Sequence, residues 1–260
     1  MPQLRLLPLL LLFSAACTSD PEIQLTVVDV WNNPVAGATV IQEGVTENIT
    51  VDSNGKASVA VKPGQVRLLA SAPEHTQDLQ ISEIVEDVEP TALTFTLYPA
   101  PPHPGFYGVG QSEYDELELY KVDTVGSEMS VYHGIKDTPK SIMPKGTNAP
   151  HRFVFKTDLR KEEISRFNLK LSKLKFVEST VAKAVTGDVE VDLNLWVADT
   201  DANFEVKGLT AEDVYLLTTE KALPAGMYAF HAQNILNATS AVALERLPEE
   251  LRVVYPFEVK

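Results

Sequence analysis

The chain has 260 residues, of which 36 are acidic and 22 basic, and a formal net charge of -14. Such a surface repels phosphate backbones and anionic lipid, which sets aside nucleic acid as a partner. With 44% hydrophobic residues and a single cysteine, the chain must hold its core by packing, because no disulfide can form within it.

The first stretch has Arg5 as its one charge, an apolar run from Leu6 to Phe13, and the small residues Ser14, Ala15 and Ala16. That run is too short to cross a bilayer, which takes about 20 residues in a helix. A basic start, a short apolar middle and small residues before a cut site read as a secretory signal peptide over residues 1–16. Cys17 follows directly. Ser14-Ala15-Ala16-Cys17 resembles the lipobox of bacterial lipoproteins, although Ser14 stands where that family usually has leucine or another aliphatic residue. The resemblance implies that the Cys17 thiol receives a lipid before cleavage and that residues 17–21 form a short lipidated tether. An ordinary signal peptide cut near Ala16 is the alternative. Thr18 in place of aspartate after the cysteine implies, by the same family's sorting pattern, an outer-membrane protein facing the periplasm or the surface. Several acyl chains, as that class carries, make such an anchor stable.

From Ile23 the pattern is β. Ile23, Leu25 and Val27 alternate with Gln24, Thr26 and Val28, the period of a strand buried on one face. Asn32-Asn33-Pro34 turns the chain, Val35 to Val40 resumes extension, and Asp52-Ser53-Asn54-Gly55 is a second tight turn. Ala57, Val59 and Val61, then Val66 to Ala70 after Pro63-Gly64, then Leu93 to Leu97 add further strands. Short strands with turn signals at such intervals predict a β-sandwich. The run Val28-Asp29-Val30-Trp31-Asn32-Asn33-Pro34-Val35-Ala36-Gly37-Ala38-Thr39-Val40 is similar to the opening of carboxypeptidase regulatory-like domains. Lys62-Pro63-Gly64 through Ala72-Pro73 matches a later strand of that family, with Glu74-His75 where it has Gly-Tyr. The resemblance covers residues 22–99 and implies a transthyretin-like sandwich that serves as a structural or binding module without catalysis.

Residues 100–105, with Pro99 before them, form a proline-rich linker: four prolines in six residues favour a stiff polyproline spacer. Residues 106–260 hold 16 of the 20 aromatics and match no family securely. Phe106 to Val109 and Tyr114 to Leu119 read as a hairpin, and His151 to Phe155 as a strand. Phe167, Leu169 and Leu171 alternate, with a slip of phase at Leu174 and Phe176 that a bulge would cause. Ile164, Phe167, Leu171 and Leu174 also fit helical spacing. Val189 to Leu195 alternates strictly, and Val214 to Leu217 with Met227 to Phe230 reads as a hairpin pair. Short helices are expected at Ser179 to Thr186 and near Pro248 to Leu251. The fold class is therefore mostly β: two antiparallel sandwich-like domains, the second larger and carrying one or two short helices.

Chemistry is weakly signalled. Histidines 75, 103, 133, 151 and 231 are scattered, with no H-E-x-x-H and no cysteine cluster, so no zinc site is indicated. Asp199-Thr200-Asp201-Ala202-Asn203 imitates half of a calcium loop, but Phe204 and Thr210 stand where that loop needs glycine and glutamate; a polar turn is expected. Glu113, Asp115, Glu116 and Glu118 form an acidic group that alternation splits between two faces. No serine-hydrolase elbow, dinucleotide fingerprint or P-loop is present. No residue is assigned to catalysis, a cofactor or a metal, and Cys17 is the one site residue. The expected function is a non-catalytic envelope lipoprotein, held to the membrane by its lipid, that binds or organises a protein or glycan of the cell envelope. The alternative is a divergent envelope enzyme with a site in the C-terminal domain. Oligomeric state is left open.

Overall fold

A computed structural model describes residues 21–86, 88, 90, 92–126, 130–143, 149–209, 213–233, 235–236 and 247–260. The signal peptide, Cys17 and all of the tether before Pro21 lie outside the described residues. The first half holds seven strands: β1 (Glu22–Asp29), β2 (Thr39–Gln42), β3 (Ile49–Thr50), β4 (Lys56–Ala60), β5 (Gly64–Ser71), β6 (Asp78–Ile84) and β7 (Leu93–Leu97). They form two sheets, ordered β4-β1-β7 and β3-β2-β5-β6. Alternation in β1, β5 and β7 sends Ile23, Leu25, Val27, Val66, Leu68 and Phe95 into one core between the sheets. β1 and β7 run parallel, unlike the other pairs of this sandwich.

Two turns fix the path. Gly55 has φ of +69°, and a Cβ there would stand 2.3 Å from the Val27 carbonyl oxygen. Its own carbonyl accepts from Val27 N–H at 2.7 Å, so the turn before β4 is stitched onto β1. Glu74, which leads into β6, has φ of +57°. That left-handed backbone suits glycine and costs other residues about 1–2 kcal/mol.

The second half begins with β8 (Gly105–Val109), β9 (Tyr114–Glu116), β10 (Tyr120–Lys121), β11 (Asp123–Gly126), β12 (Val131–Gly134), β13 (Ile142–Met143) and β14 (Arg152–Lys156). Helix α1 (Lys161–Arg166), β15 (Lys170–Ala184), β16 (Gly187–Ala202), β17 (Phe204–Gly208), β18 (Val214–Thr219), β19 (Gly226–His231), a 3-10 turn at Glu249–Leu251 and β20 (Val253–Val259) follow. One sheet runs β17-β18-β14-β8-β9; the other runs β10-β20-β19-β15-β16, with β13 beside β20. Between them lies an aromatic core. Phe106 stacks on Phe155 at 4.0 Å and on Phe230 at 4.7 Å, and Phe153 meets Phe257 at 5.1 Å. Such pairs add about 0.5–1.5 kcal/mol each beyond the area they bury.

The expected hairpin about Gly110 is present as β8 and β9. The slip of phase at Leu174 is also present, as a register shift between Lys173 and Leu174. Two local expectations are corrected. Residues 179–186 are not helical: Ser179 to Ala184 continue β15, paired with Asp192 to Gly187 of β16. Thr180, Val181 and Val185 are β-branched, which favours the strand. Val214–Leu217 and Met227–Phe230 do not form a hairpin, because β18 and β19 lie in different sheets. Buried Leu223 anchors the connection that crosses between them. The helical spacing at Ile164 is realised as α1, which buries Ile164 before the chain extends into β15.

The proline-rich segment is held by both sandwiches. Ala100 N–H donates to the Glu74 carbonyl at 2.8 Å. Lys156 Nζ donates to the Pro101 carbonyl at 2.8 Å, and Tyr114 Oη to that of Pro99 at 2.9 Å. A shared apolar cluster joins Val30 and Tyr98 of the first sandwich to Tyr107, Val154 and Val214 of the second. Trp31 Nε1 donates to the Gly110 carbonyl at 3.2 Å, and its ring meets Tyr114 edge-on at 5.1 Å. Burial there pushes the Tyr114 phenol above its usual pKa.

Candidate functional site

Two places combine residues in a way that bears on function: a cleft at the mouth of the second sandwich and one edge strand of the first, β6. The cleft, about 530 Å³, lies where β16 leaves one sheet at Asn203 and re-enters the other as β17. Ile164, Leu171, Phe204 and Val206 supply apolar walls, and Lys170, Asp201, Asn203 and Glu220 are among its polar lining. Asp201 is not in a turn: Asp199 to Ala202 are strand residues of β16, which corrects the polar-turn expectation. The β15 register places Ser172 opposite Asp201, and Lys170 opposite His231. Opposite and next-but-one residues share a face, so all four side chains meet on the face of the sheet turned away from Leu171, Phe230 and the aromatic core.

Lys170 Nζ is hydrogen-bonded to Asp201 Oδ2, and Ser172 Oγ donates to Asp201 Oδ1 at 2.8 Å. His231 Nε2 stands 2.9 Å from Ser172 Oγ, and its Nδ1 stands 2.7 Å from the Ala232 carbonyl. A carbonyl only accepts, so Nδ1 carries the proton and Nε2 of the neutral ring is an acceptor. The single Ser172 proton then serves Asp201 or His231, one at a time. Burial is the largest influence on His231 and lowers its pKa to about 4, although Asp201 and the Ala232 carbonyl favour the imidazolium. Partial burial would raise the Asp201 pKa, but hydrogen bonds from Lys170 and Ser172 outweigh it and the pKa falls.

This constellation braces β15, β16 and β19. Ser172 is 0% exposed, so its hydroxyl cannot reach a substrate. The remaining histidines stay apart from it: His133 Nδ1 meets Thr124 Oγ1 at 3.0 Å, and His151 Nδ1 accepts from Leu223 N–H at 3.2 Å. Among the described residues no three metal-ligating side chains come together. Asp199 pairs with Lys175 at 3.0 Å, and Asp115 sits on β9, its pKa raised by burial and by Glu113.

Among the described residues β6 ends its sheet beside β5, with Thr96 of β7 against its first residue, Asp78. Asp78, Gln80 and Ser82 are the half-buried residues, whereas Leu79 and Ile81 face solvent at 42% and 53% exposure. That is the reverse of an ordinary half-buried strand, where the apolar set faces the core. Asp78 fixes this register: its Oδ2 accepts from Thr96 N–H at 3.0 Å and from Gln80 Nε2 at 3.1 Å. Buried Ile84 secures the other end. Ile41, Leu69 and Leu79 lie opposite one another in register, so the outer face carries an apolar row that ends at β6. Most aromatics of the second half, by contrast, are core; Phe176, paired with Trp196 at 5.3 Å, is an exposed exception. The inverted strand carries a sequence signal, Leu79 and Ile81 at period two, but period alone does not say which face is buried.

No family model matches the chain, and no curated protein matches it. Among solved structures the chain is similar to BcpA, the major pilin subunit of Bacillus cereus. Identity is 11% over 92% of this chain and 68% of the pilin, with a TM-score of 0.22. A variant of the same pilin gives 11% identity, 92% and 67% coverage, and a TM-score of 0.23. At such TM-scores the likeness carries no argument about this chain.

Proposed function

We propose that this chain is a non-catalytic module of the bacterial cell envelope, anchored in the outer membrane by a lipid on Cys17, which works by pairing its β6 edge with a protein. The observation that carries this reading is the inverted strand: among the described residues β6 has β5 as its one ladder partner, and Leu79 and Ile81 are turned to solvent. Exposed apolar residues beside an open edge are the two elements of strand-addition recognition, hydrogen bonds for affinity and side chains for specificity. The polar groups that converge in the second sandwich are bonded to one another around a buried hydroxyl, which favours binding over catalysis. Ile81→Lys tests the reading, because the side chain points outward and the charge leaves the core untouched. In envelope preparations the lipidated full chain should retain its fold and lose its cross-linked protein partners. Unchanged partners in that variant would refute the role of this edge.

A further inference from the structure

We propose that β17 pairs antiparallel with β17 of a second copy, about a two-fold axis at Val206, joining two five-stranded sheets into one of ten. This surface is separate from β6 and does not rest on the role given to that strand. β17 ends its sheet, and among the described residues β18 is its one ladder partner. The phase of that ladder decides which backbone groups are open. Glu220 N–H donates to the Asn203 carbonyl and Leu209 N–H to that of Val214, so alternation turns Glu205 and Lys207 toward β18. Thr219, opposite Phe204, agrees with this phase: its N–H donates the other way, to the His151 carbonyl. The N–H and C=O groups of Phe204, Val206 and Gly208 therefore point outward, and no hydrogen bond from the described residues reaches them. Space is open there as well. A Cβ added at Gly208 would meet no atom within 4 Å, and the cleft described above opens beside Phe204 and Val206.

Phe204-Glu205-Val206-Lys207-Gly208 is complementary to itself in this register. Glu205 lies opposite Lys207 of the other copy and Lys207 opposite Glu205, while Val206 meets Val206. Phe204 lies opposite Gly208, the pairing in which an aromatic covers a strand glycine. Opposite residues share a face, so the second Val206 joins the apolar wall that Phe204 and Val206 give the cleft. Glu205 and Lys207 are exposed, and neither has an ion-pair partner among the described residues. A lone edge lysine blocks pairing; here each lysine meets a glutamate. Moving the axis one residue either way sets Glu205 against Glu205 or Lys207 against Lys207, which disfavours both alternatives. Exposed ion pairs add little affinity. They select the register, and the backbone bonds of the open edge hold the strands together.

The test is oxidation of the full-length chain carrying Val206→Cys, with the linked residues located by peptide mass spectrometry. Directly opposed residues of an antiparallel pair have Cα atoms about 4.5–5.5 Å apart, within the disulfide range of about 4.4–6.8 Å. A disulfide between residues 206 of two copies is expected. Adding Glu205→Lys or Lys207→Glu should abolish it, because each change sets like charges opposite one another. Both side chains are exposed, so neither change disturbs the core. Mixing the two charge variants should restore the link, now only between unlike copies. No link through residue 206 would overturn the proposal, and so would a link that survives Glu205→Lys undiminished. A link from residue 206 to a different protein would overturn self-pairing. Val206 packs on the aromatic core, so sedimentation of the chain without the added cysteine gives a second reading. Wild type should self-associate reversibly and Glu205→Lys should not; equal masses at every concentration would overturn the proposal.

Discussion

His231 is 4% exposed, and its ring, with a pKa near 4 against an ordinary value of 6.5, stays neutral in the folded chain. Between these two values the unfolded chain binds a proton that the folded chain does not, so stability falls as pH falls through that window. Neutral His231 contributes fully above the unfolded value; the contribution is about 2 kcal/mol smaller at pH 5 and about 3 kcal/mol smaller at pH 4. Asp201 and Asp52, both with lowered pKa values, lose their contributions only below about pH 4; Asp115, with a raised one, acts in the opposite sense just above that pH, and equally in wild type and variant. The assay is urea unfolding over a pH series, wild type against His231→Gln. Loss of the ring should lower stability near pH 7, while the fall between about pH 6.5 and pH 4 becomes shallower in the variant by the amount above, so the deficit shrinks as pH falls. An identical pH slope in the two proteins would refute a buried neutral His231.

Other predictions follow from separate contacts. Cys17→Ala should release the chain from membranes or leave it unprocessed, and an unmodified cysteine at the wild-type N-terminus by mass spectrometry would contradict the anchor. Trp31→Ala removes the donor to Gly110 and the Tyr114 contact; it should cost about 2 kcal/mol and split a single unfolding transition into two. Gly55→Ala should cost at least about 2 kcal/mol, because its Cβ meets backbone at positive φ, whereas Glu74→Gly should hold or raise stability by up to about 1 kcal/mol. Chemical denaturation checks both.

Strands buried on one face were legible because burial and alternation coincide, as in Ile23, Leu25 and Val27. The bulge at Leu174 was legible for the same reason: an extra residue breaks the phase. β20 was not. Val254, Tyr255, Pro256 and Phe257 are all buried, so no alternation marks them, and Pro256 argues against a strand. The structure accommodates the proline because it falls between Val254, opposite Tyr120 of β10, and Glu258, opposite Ile142 of β13. On that side no neighbour requires its missing N–H. The bracing cluster was invisible for another reason. Ser172 and His231 are 59 residues apart and meet only through the pairing of β15 with β19. β6 escaped because its polar side chains face inward, held by the bonds of Asp78 to Thr96 and Gln80. The proline-rich segment reads as a spacer from composition, yet Lys156, Tyr114 and Glu74 bind its backbone from both sides.

The most direct measurement for the role of β6 is hydrogen exchange of its amides in the lipidated chain, compared between native membranes and dilute detergent. Alternate amides of an edge strand point away from the sheet and exchange freely until another strand covers them. The outward-pointing amides among Gln80 to Glu83 should therefore be protected in the membrane and lose that protection on dilution, while the amides of β5, which lies between β2 and β6, stay protected throughout. Equally fast exchange of β6 in both conditions would contradict the claim that this edge is where the protein binds.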